Sequence, residues 1–432
     1  MAQPPRGHVF VKTAEPKAAA AARIGSGLAV RKRAELLGLL RSCFDRAGPW
    51  LQAGKYVPAL ASELPERNGW TIAGHAGDRA PDETGQQKRG EATAGVKRQY
   101  MGCAGRAENG ISTVHLSYVR EKTGHVLAGA RQRIPAGHIE DPVKSLVTGL
   151  PLDLEFRTKG QLAIGICTDA CADGVRFDFA CGDEAYGSCT RLREFFEARG
   201  QAHVLRVASD FTLTLAPGTK RTCAEAVSRL ARDERRREVR SAGKGTKGDR
   251  WHARARIATA SPRHHLLVRR HLKTGELAFH YCYVPEGQLL ARTRLIRAAG
   301  LRWPAEEDFE FGKGQFGLDQ CQARLCTAII GHVAAVMAAL AVCAVTAALL
   351  KDRTDSQAPS PIAPGQPPPA EPGMIPLTVP EIRRLLAAVP RRPQPPGHAG
   401  HWLDWRRRHQ ARSRWFHQRA RLARDAEITL VS

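Results

Sequence analysis

Residues 162–207 read LAIGICTDACADGVRFDFACGDEAYGSCTRLREFFEARGQAHVLRV. The order of their periodicities decides the fold class. The opening is apolar and helical. GVRFDFACGD (174–183) is a strand-like run that ends in Asp183. CTRLREFFEARG (189–200) is an amphipathic helix stopped by Gly200. AHVLRV (202–207) is a second strand. Helix, strand, helix, strand is the alternation of a mixed α/β sheet.

Working outward, GISTVHLSYV (110–119) and GHVLAGARQRI (124–134) precede this block as strands. ARARIATA (253–260), HHLLVRRHL (264–272) and LAFHYCYV (277–284) follow it as a second, smaller β region. Between them, 229–250 is a charge run ending in SAGKGTKGDR, which predicts an exposed loop. Residues 18–64 read as helical, with Leu37, Leu40 and Phe44 at helical spacing, and 65–95 read as loop. Residues 288–299 are helical. The stretch 354–373 is Pro-rich and cannot support a core.

Net charge is +24, from 66 Lys+Arg against 42 Asp+Glu, and clustering of that charge points to a nucleic-acid partner rather than a merely basic proteome. His401–Arg424 holds eight Arg among Trp402, Trp405, Trp415 and Phe416, which suits either phosphate contact, with Arg406, Arg407 and Arg408 foremost, or packing of a terminal helix. The 11 Cys show no zinc-ribbon spacing and read as free thiols of a reducing compartment. No signal-peptide core opens the chain. Residues 328–350 are apolar and long enough to span a bilayer. A helix buried on all sides is the competing reading.

Three acidic places carry chemistry. Asp183 ends a strand ahead of a loop, where an α/β sheet presents catalytic groups, and an Asp capping a helix that begins near Cys189 is the alternative. In LRWPAEEDFEFGKGQFGLDQ (301–320), Glu306 shares a helix face with Lys313, two turns on, and with Arg302, one turn back. A solvated, salt-bridged surface would look the same. Asp82 opens a compact acidic turn, DETG, which reads equally as plain surface. Taken together, these oxygen ligands suit Mg²⁺ or Mn²⁺ and in-line displacement at phosphorus.

These segments resemble the insertion-sequence transposases of the seven-oh-one type, of the DDE nuclease superfamily. DETG, with Gln99, Tyr100, Gly105, Arg106, Glu108 and Asn109 after it, looks like the family's first acidic motif and its sequel. GDEAYG (182–187) looks like the second-Asp motif. Arg302, Glu306 and Lys313 match the Arg-x3-Glu-x6-Lys signature, although the Tyr that often precedes that Arg is Ala299 here. IPLTVPEIRRLL (375–386) and the basic tail are similar to the family's closing segments. The resemblance implies an RNase H-like mixed sheet with a β-rich insertion, a helical N-terminal region and a basic C-terminal tail. It implies Asp82, Asp183 and Glu306 as the metal-holding catalytic triad, Arg302 and Lys313 contacting phosphate or orienting the Glu, DNA as partner, a homodimer on DNA, and a bacterial cytoplasmic location without a membrane.

The resulting division is a helical region and DNA-binding remnant over 1–80 and a nuclease core over 81–222. A β-rich insertion covers 223–287 and the helical end carrying the Glu covers 288–352. A Pro-rich linker covers 353–400 and the basic tail 401–432. One junction departs from the family. ERNGWTIAGHAGDRAPD (66–82) runs straight into DETG, without the strand that normally separates them. An internal deletion is the expected cause. It leaves, as the alternative to an active transposase, an inactive remnant that only binds DNA.

Overall fold

The computed structural model describes residues 16–44, 47–62, 87–88, 90–101, 105–216, 218–228, 238–245, 248–288, 291–359, 367, 369–371, 373–388 and scattered positions between 404 and 418. The chain divides into two compact units. One comprises 1–84, 313–322 and 338–432, and the other 85–312 and 323–337.

In the first unit lie α1 (Pro16–Leu39) and α2 (Ala47–Leu60). Trp50 Nε1 donates to Leu37 O at 2.8 Å and ties α2 back to α1. Alternation then shifts to the period of strands. β1 (Lys97–Met101) and β2 (Arg106–Gly110) form a hairpin with Gln99 opposite Glu108. β3 (Ser112–Arg120) and β4 (Gly124–Arg133) form a longer one.

Short helices α3 (Ala136–Ile139) and α4 (Pro142–Thr148) lead to α5 (Lys159–Ala172), which opens on a capping box. Thr158 and Gln161 satisfy each other's backbone N–H groups there. α5 lays Leu162 and Ile166 on Val114 and Leu116 of β3. β4 admits Ile166 because Gly129 has no Cβ; one would stand 2.4 Å from Ile166 Cγ2.

The expected alternation over 162–207 is present. After α5 come β5 (Ala180–Gly182), α6 (Glu184–Gly187), α7 (Thr190–Glu197) and β6 (His203–Val207). β5 and β6 run parallel. β7 (Thr212–Leu215) and β8 (Thr219–Thr222) make a small hairpin before α8 (Cys223–Ser228). β9 (Glu238–Gly245), β10 (Gly248–Ala258), β11 (His264–His271) and β12 (Leu277–Tyr283) then form an antiparallel meander.

β12 pairs with β6, giving one mixed sheet in the order β5-β6-β12-β11-β10-β9. The strands after residue 223 thus extend the sheet of β5 and β6 by direct hydrogen bonding. The stretch SAGKGTKGDR, expected as a loop, contributes to β9 and β10 instead. Its Ser, Thr and Gly residues obscured the strand, which gains its stability from pairing rather than from propensity.

One sheet face packs Val207, Leu266, Val268 and Phe279 with Leu213 and Cys223. The opposite face packs Val204, Leu267 and Cys282 against Leu295, Ile296 and Ala298 of α9 (Arg292–Gly300). α10 (Arg302–Phe316) follows at once, with Pro304 in its first turn, where a missing N–H costs nothing.

α11 (Cys326–Thr354) is the one helix among the described residues long and apolar enough to cross a bilayer. Val336, Leu340, Cys343 and Leu350 along it are buried. Within the stretch expected as Pro-rich linker, Val379–Ala388 forms α12. It belongs to the first unit, where Arg383 donates to Ser62 O at 2.7 Å and to Gln315 Oε1 at 2.9 Å.

Candidate active site

Asp183 follows the last residue of β5. Its Oδ1 accepts the N–H of Ala185 at 3.0 Å and of Tyr186 at 3.4 Å. Both placements expected for this residue occur in one geometry. It stands at the C-terminal end of a strand, and it caps a helix, though that helix is α6 rather than one starting near Cys189. The carboxylate is exposed and its other oxygen makes no hydrogen bond among the described residues. Immediately beyond, Gly187 lets α6 sit against β6: a Cβ there would come 1.7 Å from Arg206 O. Burial, then the nearby Asp183 charge, raise the Tyr186 phenol to about 12.

Two residues before Asp183, Cys181 donates through Sγ to Ala298 O at 3.1 Å. Arg294 adds an ion pair to Asp178 at 3.4 Å and lies over the Phe179 ring. These contacts fasten α9 to β5 and to the residues just before it.

α10 itself is anchored by side chains that the sequence reading passed over. Asp308 is fully buried. It accepts a short hydrogen bond from Ser117 Oγ on β3 and another from His125 Nδ1 on β4, at 2.8 Å. Glu307 Oε2 lies 3.2 Å from His125 Nε2, and Trp303 Nε1 donates to Glu307 Oε1 at 3.1 Å. His125 is thus held between two carboxylates from consecutive helix positions. Burial lowers its pKa, but the hydrogen bond and charge of Asp308, followed by those of Glu307, outweigh it and leave the pKa above its usual value. Phe311 stacks on His125 and Phe309 meets His115 edge-on. Strand alternation explains the layering: Val114 and Leu116 face α5, while His115 and Ser117 face α10.

This anchor fixes the rotation of α10 about its own axis. Glu306 and Glu310 lie exposed on the helix, as does Lys313, seven residues past Glu306 and therefore on its face. The backbone of Arg302 begins the helix; its side chain lies outside the described residues. So does Asp82, and with it the 66–82 junction where a deletion was expected. Arg406 is outside them too. Arg407 and Arg408 are helical and exposed, with Arg408 3.8 Å from Asp404. In the hairpin after the first acidic segment, Arg106 Nε pairs with Glu108 Oε1 at 2.8 Å and Gln99 Nε2 donates to Gly110 O at 3.0 Å.

Among the described residues no three His, Cys, Asp or Glu side chains gather as a metal site. The exposed donors at the predicted positions, Asp183 and Glu306, are hard carboxylate oxygens. They fit Mg²⁺ or Mn²⁺, which take one or two carboxylates together with substrate phosphates, better than a soft metal. The ten described cysteines are free thiols. Burial raises Cys181 and Cys343 to about 12, which suits packing rather than ligation.

Comparison with protein families matches residues 59–269 to the model described as DDE superfamily endonuclease. The matched stretch contains Asp82 and Asp183 and ends before Glu306. A search of curated proteins finds no match. The family match supports a DDE-type transposase or nuclease acting on DNA, on an α/β scaffold of mixed helix and strand.

Proposed function

We propose that this chain is an insertion-sequence transposase of the DDE type, which cleaves DNA strands at the ends of its element and joins them to a target. The observation that carries this reading is Asp183. It lies inside the matched endonuclease region, at a strand end, with one carboxylate oxygen engaged by the cap and the other open to solvent. Glu306 is supplied by a helix whose orientation the buried Asp308 fixes. Asp82 would complete the set.

Asp183, Glu306 and Asp82 would hold Mg²⁺ or Mn²⁺. When bound, that ion activates the attacking oxygen and stabilises the leaving one. The chain's own residues do the positioning. Asp183 is pinned by two backbone N–H groups. Lys313 and Arg302, on the face of Glu306, would contact phosphate. Arg407 and Arg408 would add sequence-blind attraction to the backbone. A bacterial cytoplasm and a homodimer on DNA are the setting this reading implies.

The test is a cleavage assay on duplex DNA carrying the element's ends, with Asp183→Asn and Glu306→Gln. Asn is as good an N-cap as Asp, so Asp183→Asn keeps α6 and removes only the ionised carboxylate. Both variants should lose cleavage by at least 100-fold while binding DNA as the parent does, a loss of about 2.7 kcal/mol or more of transition-state stabilisation. A parent chain that binds DNA yet fails to cleave it with Mg²⁺ or Mn²⁺ would refute the enzymatic reading.

A further inference from the structure

The short helix after Asp183 is held from both ends. Asp183 Oδ1 accepts the N–H groups of Ala185 and Tyr186, and Asp183 O accepts those of Tyr186 at 3.2 Å and Gly187 at 2.9 Å. At the far end of α6, Arg193 reaches back from α7. Its Nη1 donates a short hydrogen bond to Gly187 O, and its Nη2 donates to Thr190 Oγ1 at 3.0 Å. The guanidinium lies over the Phe211 ring, 5.2 Å from its centroid, and over Tyr281 of β12 at 5.9 Å.

Gly187 therefore links Arg193 to Asp183: its C=O takes the guanidinium, and its N–H binds Asp183 O. Gly187 is buried, and a Cβ there would stand 1.7 Å from Arg206 O, so it sits hard against β6. The last carbonyls of a helix lack intrahelical partners, and a buried one needs another donor. A helix of four residues has almost no stability of its own, so the geometry of Asp183 depends on what holds the ends of α6. A planar guanidinium fork holds two acceptors at once in a fixed arrangement, which a flexible Lys does not.

We infer that Arg193 is a positioning residue for Asp183: by fixing Gly187 it fixes α6, and α6 fixes where the free oxygen of Asp183 points. The inference rests on the proposed function in one respect, that Asp183 holds the divalent ion. A carboxylate that wanders must be ordered when the ion binds, and that cost appears as weaker affinity. Loss of such an outer partner commonly lowers metal affinity about 10–100-fold. A role in packing alone would change stability and leave ion affinity as it was.

The experiment uses the full chain without DNA and Mn²⁺ alone as the probe. Free Mn²⁺ is measured by electron paramagnetic resonance, and amide hydrogen exchange is followed in the metal-free protein. Asp183→Asn should remove most of the binding. Arg193→Gln should weaken it at least about 10-fold and speed exchange at Ala185, Tyr186 and Gly187, while amides of α5 and β6 keep parental rates. Arg193→Lys keeps a positive charge over the two rings and should fall between Arg193→Gln and the parent. In cleavage, the Mg²⁺ concentration for half-maximal rate should rise by the same factor, with the rate at saturating metal changed less.

Parental Mn²⁺ affinity in Arg193→Gln, beside a loss in Asp183→Asn, would overturn the inference and leave the role of Asp183 intact. Parental affinity in Asp183→Asn itself would remove Asp183 from the metal set, and the inference with it. Loss of exchange protection spread over α5 and β6 in both Arg193 variants would show a general packing role and overturn it as well.

Discussion

Replacing Asp308 by Asn probes the anchor of α10 with almost no change of volume. In the parent, the carboxylate is fully buried and accepts from both Ser117 and His125. The amide keeps one acceptor, enough for Ser117, and turns an N–H₂ group toward the imidazole. A hydrogen bond to a charged group contributes about 1.5–3 kcal/mol, and breaking a buried pair costs about 3–5 kcal/mol. Part of that is offset because the variant no longer buries a charge, so a loss of about 3 kcal/mol is expected. His125→Ala leaves Asp308 buried with Ser117 alone and should lose at least as much. The double variant should lose less than the sum, with a coupling of about 1–3 kcal/mol.

The coupling also has a sign in pH. The His125 pKa is raised in the folded protein from 6.5. Its contribution is therefore fully present below pH 6.5 and fades as pH rises through the folded value. Native-state hydrogen exchange of amides in β3, β4 and α10 reads this local stability without assuming that the two units unfold together. The coupling should be large at about pH 6 and smaller at about pH 8.5. An Asn variant within about 0.5 kcal/mol of the parent at the lower pH, or a coupling that ignores pH, would refute the argument.

Two further outcomes follow from contacts near the site. Gly187→Ala forces a Cβ to within 1.7 Å of Arg206 O; the backbone must yield, at about 1–3 kcal/mol, and a thermal midpoint equal to the parent's would contradict the packing described. Glu197 accepts from His203 and His264, both at 3.3 Å, and the His203 hydrogen bond leads in bringing its pKa from 4.5 to about 2. That contribution is present above pH 4.5 and lost as pH falls toward 2, so Glu197→Gln should flatten the acid limb of the stability profile, and an unchanged limb would count against the pairing.

The helix–strand alternation of 162–207 was legible because each element carries its own period and its own stop. β9 was not, since the pairing that stabilises it comes from β10 and no local pattern announces it. The pairing of Arg254 with Arg269 was likewise invisible: each reads as ordinary surface until the register sets them side by side. The anchor is a different case. Ala305, Asp308, Gly312 and Phe316 recur at helical spacing and form the more buried stripe of α10.

Asp308 was therefore the one acid of the run Glu306, Glu307, Asp308 on the buried stripe, and the pattern was available in the sequence. The spacing of Glu306 to Arg302 and Lys313 drew attention away from it. Two residues along a helix is a rotation of about 200°, so the acid that holds the helix and the acid expected to work at the site must face opposite ways. A buried Asp308 and an exposed Glu306 are the two ends of one constraint. Sliding the signature by two positions would place the working carboxylate in the core and leave the anchor in water.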